Sequence, residues 1–187
     1  FILICFFVTC YEWYMMTKKK YYHLIGYFFL FFSFYSTYKL RNNPSDDSLI
    51  VFLTIVIICI FTDIGGYIFG KIFKGPKLTK ISPNKTYSGV FGGLILSFIF
   101  GVIYFNNFTI FSLTVTNEEI GVQIMIIIFS ISFISQVGDL IISFFKRKSK
   151  IKNTGKIIPG HGGLLDRIDG MIFAFPIFYL IELTGFL

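Results

Sequence analysis

Residues 48–70 read S-L-I-V-F-L-T-I-V-I-I-C-I-F-T-D-I-G-G-Y-I-F-G. One aspartate, Asp63, is the only charge in the run. Its apolar residues are continuous rather than alternating, which marks a helix instead of a half-buried strand. At a rise of about 1.5 Å per residue, such a run is long enough to cross the hydrocarbon of a bilayer. Lipid offers the backbone no hydrogen-bond partner, and a helix satisfies its own amides there.

Similar runs recur on both sides. Spans are expected at about 1–16, 21–38, 48–70, 88–105, 120–145 and 168–187. Composition agrees: 55% of residues are hydrophobic and 14% are charged, against about a quarter charged in a soluble domain. Mean hydropathy is +0.74. The expected fold class is therefore all-α, a polytopic transmembrane helix bundle of about six spans. It forms one integral-membrane domain over residues 1–187, with 143–169 as a cytoplasmic loop. Phe1 stands inside an apolar run, so the first span is expected to be truncated and N-terminal spans to be missing from this piece.

The connectors carry 3, 2, 5, 0 and 7 Lys or Arg in chain order, and the fourth has Glu118 and Glu119 instead. The positive-inside rule puts the first, third and fifth connectors in the cytoplasm. The net charge of +7 then belongs to a cytoplasmic face suited to anionic headgroups and phosphates. Nucleic acid is a poor partner for it, because each basic loop is pinned at a bilayer surface. Cys5, Cys10 and Cys59 lack metal-ligand spacing and read as small buried hydrophobes. His23, beside Tyr21 and Tyr22, reads as an interfacial residue. Gly89, Gly93, Ser97 and Gly101 recur every four residues, and Gly66 and Gly70 do the same. Such stripes let helix backbones approach closely.

Packing does not account for the remaining polar residues. Asp63 and Asp139 lie inside spans, where a carboxylate is costly. Each precedes a cytoplasmic lysine by about two turns, which sets both roughly 10 Å below the surface. They either share a cation or each pair with a nearby lysine. Asp139, Ser143 and Lys146 fall at i, i+4 and i+7, on one helix face. Lys146-Arg147-Lys148 suits either a juxtamembrane anchor or this same site. The run Pro159-Gly160-His161-Gly162-Gly163 offers backbone that a ligand can approach closely. It is expected to lead into a helix bearing Asp166 and Asp169 on one face, with Asp166 either a cap or a ligand for Mg²⁺. Ser82-Pro83-Asn84 is expected to form a turn, followed by Lys85 and Thr86 at the start of a span. That pair either binds phosphate at the membrane edge or is an ordinary connector.

The segment S-F-F-K-R-K-S-K-I-K-N-T-G-K-I-I-P-G-H-G-G-L-L-D-R-I-D, Ser143 to Asp169, resembles the C-terminal signature of phosphatidate cytidylyltransferases, also called CDP-diglyceride synthetases. Three further stretches resemble the family in order: Thr62-Asp63-Ile64-Gly65, Ile81 to Thr86 with Gly89, Gly92 and Gly93 behind it, and Gln136 with Gly138-Asp139-Leu140. Glu12-Trp13 is a weaker echo. Two positions depart from the pattern. Asn153 replaces an Asp of the signature, and Ile142 replaces the family's usual Glu.

The resemblance implies transfer of CMP from CTP to phosphatidate, giving CDP-diacylglycerol and pyrophosphate. It implies Mg²⁺ as the cofactor, alone or with a second cation. Asp139 and Asp166 would be its ligands, with Asp63 and Asp169 as further ligands or behind them. Lys85, Lys146, Arg147 and Arg167 would neutralise phosphates. Ser82, Thr86 and the Gly162-Gly163 backbone would donate hydrogen bonds, and His161 would orient a phosphate oxygen or a carboxylate. The expected partners are CTP, phosphatidate and membrane lipids, with the protein a monomer or a homodimer. The expected place is a bacterial inner membrane, with the site on the cytoplasmic side. A CDP-alcohol phosphotransferase would show D-G-x-x-A-R and G-x-x-x-D-x-x-x-D, which this chain lacks. A membrane transporter would account for Asp63 and Asp139 but not for the Pro159–Asp169 run. A catalytically impaired relative is the third alternative, resting on Ile142 and Asn153.

Overall fold

A computed structural model describes residues 1–18, 20–44, 48–79, 82–109, 118–157, 160 and 162–184, with side chains described outside 105–121. Within these residues six helices follow one another: α1 (Ile2–Thr17), α2 (His23–Arg41), α3 (Ser48–Phe73), α4 (Tyr87–Thr109), α5 (Glu118–Lys148) and α6 (Met171–Leu183). An isolated β-bridge pairs Lys77 with Thr86. Among the described residues, three stretches are long and apolar enough to cross a membrane: Ser48–Phe73, Tyr87–Tyr104 and Val122–Lys148. α1 and α6 are apolar but shorter, at 16 and 13 residues.

Much of the surface is apolar, and several hydroxyl side chains are buried beside the apolar core. Large apolar side chains such as Phe28, Ile25 and Phe91 face outward, while Thr9, Ser36, Thr62, Ser97 and Ser132 are buried. That is the arrangement expected where the solvent is lipid. Several buried hydroxyls are satisfied within their own helix. Thr9, Ser36, Thr54 and Thr62 donate to the carbonyls of Cys5, Phe32, Ile50 and Ile58, one turn back. Ser33 instead donates across to Ile172 O, 2.7 Å away, tying α2 to α6.

α3 and α4 form the most intimate pair, and the glycine stripes explain it. A methyl group added at Gly65 would lie 2.5 Å from Gly92 O. One added at Gly89 would lie 2.7 Å from Gly66 O, and one at Gly93 would lie 2.8 Å from Thr62 O. Only glycine lets these two backbones meet. A first apolar cluster, including Ile55, Ile58, Ile128, Ile131 and Phe175, joins α3, α5 and α6. A second joins α1, α2, α5 and α6 through Trp13, Leu30, Ile142 and Ile172, and takes in Leu165 from the loop before α6.

Contacts between connectors show which helix ends lie together. Lys148, at the end of α5, sits 5.2 and 4.7 Å from the ring centroids of Tyr21 and Tyr22 in the α1–α2 connector. The α3–α4 connector and the segment between α5 and α6 line one cavity. The lysine-rich first, third and fifth connectors therefore share one end. At the other end, Asn43 donates to Glu182, 2.9 Å away. His23 takes part in the α1–α2 turn, with its Nδ1 2.8 Å from Thr17 Oγ1.

Candidate active site

The close α3–α4 crossing brings the start of α4 against the C-terminal end of α3. The connector between them is a small hairpin, in which Leu78 N–H donates to Lys85 O at 2.8 Å and Tyr87 N–H donates to Pro76 O at 3.1 Å. Ser82-Pro83-Asn84 turns as expected, closed by Lys85 N–H to Ser82 O at 3.1 Å. Thr86 then caps α4, accepting Gly89 N–H at 3.1 Å. Its hydroxyl oxygen is thus partly committed to the helix, and it also lies 3.0 Å from Ser88 Oγ.

A cavity of about 400 Å³ opens below this hairpin. Asp63 and Tyr67 of α3, Lys85, and Gln136, Asp139 and Lys146 of α5 line it. Ser82 and Thr86 reach it from the hairpin, and Asp166, Arg167 and Asp169 from the segment before α6. All four carboxylates singled out in the sequence thus face one space, although they come from three separate parts of the chain. Gly162 and Gly163 stand behind Asp166 rather than on the cavity wall. Arg147 is exposed on α5 and is not part of that wall. His161 lies outside the described residues.

The carboxylates differ in their partners. Asp139 pairs with Lys85, and Ser143 Oγ donates to it at 3.2 Å. This realises the helix face expected for Asp139, Ser143 and Lys146. Asp166 is engaged through both oxygens. Lys146 Nζ is 2.8 Å from Oδ1, while Thr154 N–H and Gly163 N–H donate to Oδ2 at 2.8 and 3.0 Å. Partial burial works to raise the Asp166 carboxyl. The Lys146 ammonium and the two amides outweigh it and hold the carboxyl below its ordinary value. Asp169 is buried, and its Oδ1 accepts Gly170 N–H at 3.0 Å. Burial, followed by the charge of Asp139, pushes the Asp169 carboxyl well above its ordinary value, against the pull of Lys146, whose Nζ lies 3.9 Å away.

The expectation of a helix carrying Asp166 and Asp169 needs correcting. Residues 164–170 form turns, and α6 begins only at Met171. Asp166 reaches back to the amides of Thr154 and Gly163 instead of capping α6. Gly162 makes that reach possible. Its φ is +89°, and a methyl group there would lie 2.8 Å from Asp166 Oδ2. Gly138 serves a related purpose on α5. A methyl group there would meet Phe173 at 2.6 Å and Asp169 O at 3.0 Å, so glycine lets the segment with Asp169 lie against α5.

Among the described residues, no group of three or more Asp, Glu, His or Cys side chains is gathered closely enough to hold a metal ion as it stands. The donor chemistry nevertheless suits a hard cation. Asp139 and Asp63 are both near enough to Asp169 for their charges to act on it. Carboxylates crowded in this way are relieved by a divalent ion with oxygen ligands. Lys85 would have to leave Asp139 to admit one.

The family model for cytidylyltransferases matches residues 1–184. The chain belongs to the cytidylyltransferase family. Its similar relatives include the phosphatidate cytidylyltransferase of Brucella suis, 39% identical over 157 residues, covering 83% of this chain and 54% of that protein. That of Rickettsia bellii is 36% identical over 175 residues, covering 91% and 74%. That of Staphylococcus aureus is 37% identical over 160 residues, covering 84% and 55%. The chain thus spans about half the length of the Brucella and Staphylococcus relatives.

The two departures from the family pattern have different surroundings. Asn153 is exposed, and its side chain lies beside Gly162. A carboxylate there would meet water. Ile142 is 3% exposed and packs in the cluster of Trp13, Leu30 and Leu165. It faces this core and not the cavity. Ile142→Glu is therefore expected to lower the thermal midpoint of the detergent-solubilised protein by several degrees, since burying an unpaired carboxylate costs a few kcal/mol. An unchanged midpoint in a thermal-shift assay would contradict this placement.

Proposed function

We propose that the protein transfers CMP from CTP to phosphatidate, forming CDP-diacylglycerol and releasing pyrophosphate. The observation that carries this reading is the single cavity shared by Asp63, Asp139, Asp166 and Asp169 with Lys85, Lys146 and Arg167. A phosphate oxygen of phosphatidate attacks the α-phosphorus of CTP, and the bond from that phosphorus to the β-phosphate oxygen breaks. The attacking oxygen is already ionised at neutral pH, so no strong general base is needed. The obstacle is the repulsion between an anionic lipid and an anionic nucleotide, which positioned cations relieve.

Lys85 and Lys146 are shielded from water on one side and tethered to carboxylates, so their charges are held in place. Substrate phosphates would draw Lys85 from Asp139 and share Lys146 with Asp166. Arg167 adds a third cation at the wall, and Ser82 offers a hydroxyl. The N-terminus of α4, just behind Thr86, favours negative charge at the same spot. Asp139, Asp169 and Asp63 would hold Mg²⁺, alone or with a second cation, and the ion when bound would neutralise part of the triphosphate charge. Asp166, with both oxygens engaged, fits better as the residue that fixes Lys146. Tyr67, 68% exposed and also at the cavity, marks the side facing lipid, from which the acyl chains would enter.

The activity test is release of pyrophosphate by the purified protein in mixed micelles. Release is expected only when CTP, phosphatidate and Mg²⁺ are all present. Release with diacylglycerol or an alcohol acceptor in place of phosphatidate would overturn the reading.

The protein would be a multi-pass protein of a bacterial inner membrane, with this cavity open to the cytoplasm. The lysine-rich connectors at one end support that orientation. With an impermeant thiol reagent on intact cells, Thr114→Cys is expected to label and Lys152→Cys only after permeabilisation. The reverse pattern would contradict the orientation.

A further inference from the structure

Glu12 lies on α1, more than a hundred residues from the signature segment, yet its side chain is buried against that segment and 1% exposed. No cation pairs with it among the described residues. Its carboxylate is satisfied by loop donors instead. Leu164 N–H donates to Oε1 at 2.9 Å. Leu165 N–H and the Thr154 hydroxyl donate to Oε2 at 2.8 and 3.0 Å.

These donors belong to the same stretch of chain that holds Asp166. Thr154 is gripped at both ends, its hydroxyl by Glu12 and its N–H by Asp166. Gly163 N–H donates to Asp166, and the next two amides donate to Glu12. The loop is also shaped to admit Glu12. A methyl group at Gly155 would lie 2.7 Å from its Oε1, and one at Gly163 would lie 2.5 Å from its Oε2. Three donors converge on one group, and only an ionised carboxylate accepts from all of them while donating nothing. A glutamine would turn an amide NH₂ toward at least one donor.

We infer that Glu12 is a positioning residue: from α1 it holds the signature loop so that Asp166, and through it Lys146, keep their places at the cavity. The catalytic consequence rests on the CMP-transfer reading; the positioning itself does not.

The test compares Glu12→Gln, Asp166→Asn and the double variant, using amide hydrogen exchange and the rate of CMP transfer in the purified protein. In Glu12→Gln, exchange at Thr154 and Gly163–Leu165 is expected to quicken at least roughly tenfold while α3 and α4 stay protected. Turnover should fall on the order of ten- to a hundredfold, as for a misplaced catalytic group. In the Asp166→Asn background the same change should cost no more than about twofold further, because it acts through Asp166. Exchange that is unchanged, or that quickens equally across the whole bundle, overturns the inference, as do fully additive losses. Thr154→Val removes one donor to Glu12 and leaves both carboxylates. It should loosen the same amides to a smaller degree, and it decides the matter if Glu12→Gln does not accumulate. Should the wild type prove inactive with CTP and phosphatidate, the CMP-transfer reading falls, and local exchange alone upholds or overturns the positioning role.

Discussion

Asp139→Asn is expected to lower CMP transfer at least roughly a hundredfold, the loss typical when one preorganised electrostatic group is removed. Asparagine nearly matches the shape of aspartate, so the loss would be one of charge and not of packing. Asp139 stands where three elements meet. Lys85 pairs with it from the α3–α4 hairpin, Ser143 donates to it along α5, and Asp169 approaches it from the segment before α6. Neutralising it removes the counter-charge that holds Lys85 and one of the oxygen donors suited to a cation. Initial rates in mixed micelles give the effect, and a thermal-shift measurement on the same sample shows whether the bundle is intact. A rate within a few-fold of wild type, with the protein folded, would contradict the assignment.

Gly65→Val is expected to act on the bundle itself. The new side chain would be driven into the backbone of α4, beginning with a methyl group 2.5 Å from Gly92 O. A carbonyl oxygen in a helix cannot rotate aside, so the two helices must separate. Overpacking of this kind costs about 1–3 kcal/mol and sometimes more. Separation would also pull Asp63 and Tyr67 away from Lys85 and Thr86, which face each other only because the backbones touch. Both the thermal midpoint and transfer are therefore expected to drop, in contrast to Asp139→Asn, where only transfer drops. A Gly65→Val protein with the wild-type midpoint would mean that α3 and α4 are less tightly apposed than described.

What could be read from the sequence was what depends on local spacing. Uninterrupted apolar runs located the helices to within a few residues, because in lipid the backbone has no alternative to the helix. The four-residue glycine repeats signalled a close crossing, and α3–α4 supplies it. Asp139, Ser143 and Lys146 share a helix face, and that followed from their i, i+4, i+7 spacing. The unread features depend on contacts between distant parts of the chain. Glu12 looked like a weak echo of a family pattern, since nothing near it in sequence reveals the loop amides it accepts from, more than a hundred residues away. Asp166 and Asp169 were expected on a helix. Their segment instead turns, with Asp166 and Glu12 taking loop amides at its start. Ile142 stands where the family usually has a Glu, and only its neighbours in space, Trp13 and Leu165, show that the position faces the core. Which lysine pairs with which aspartate was also hidden, because Lys85–Asp139 and Lys146–Asp166 join different elements.

The most direct test of the central claim follows the label from CTP carrying ³²P at either the α- or the γ-phosphate. With phosphatidate and Mg²⁺, α-label is expected to enter the organic phase as CDP-diacylglycerol and γ-label to remain in the water as pyrophosphate, with both movements lost in Asp139→Asn. Transfer of γ-label to lipid, or α-label entering lipid at the wild-type rate in Asp139→Asn, would contradict a CMP transfer performed by this cavity.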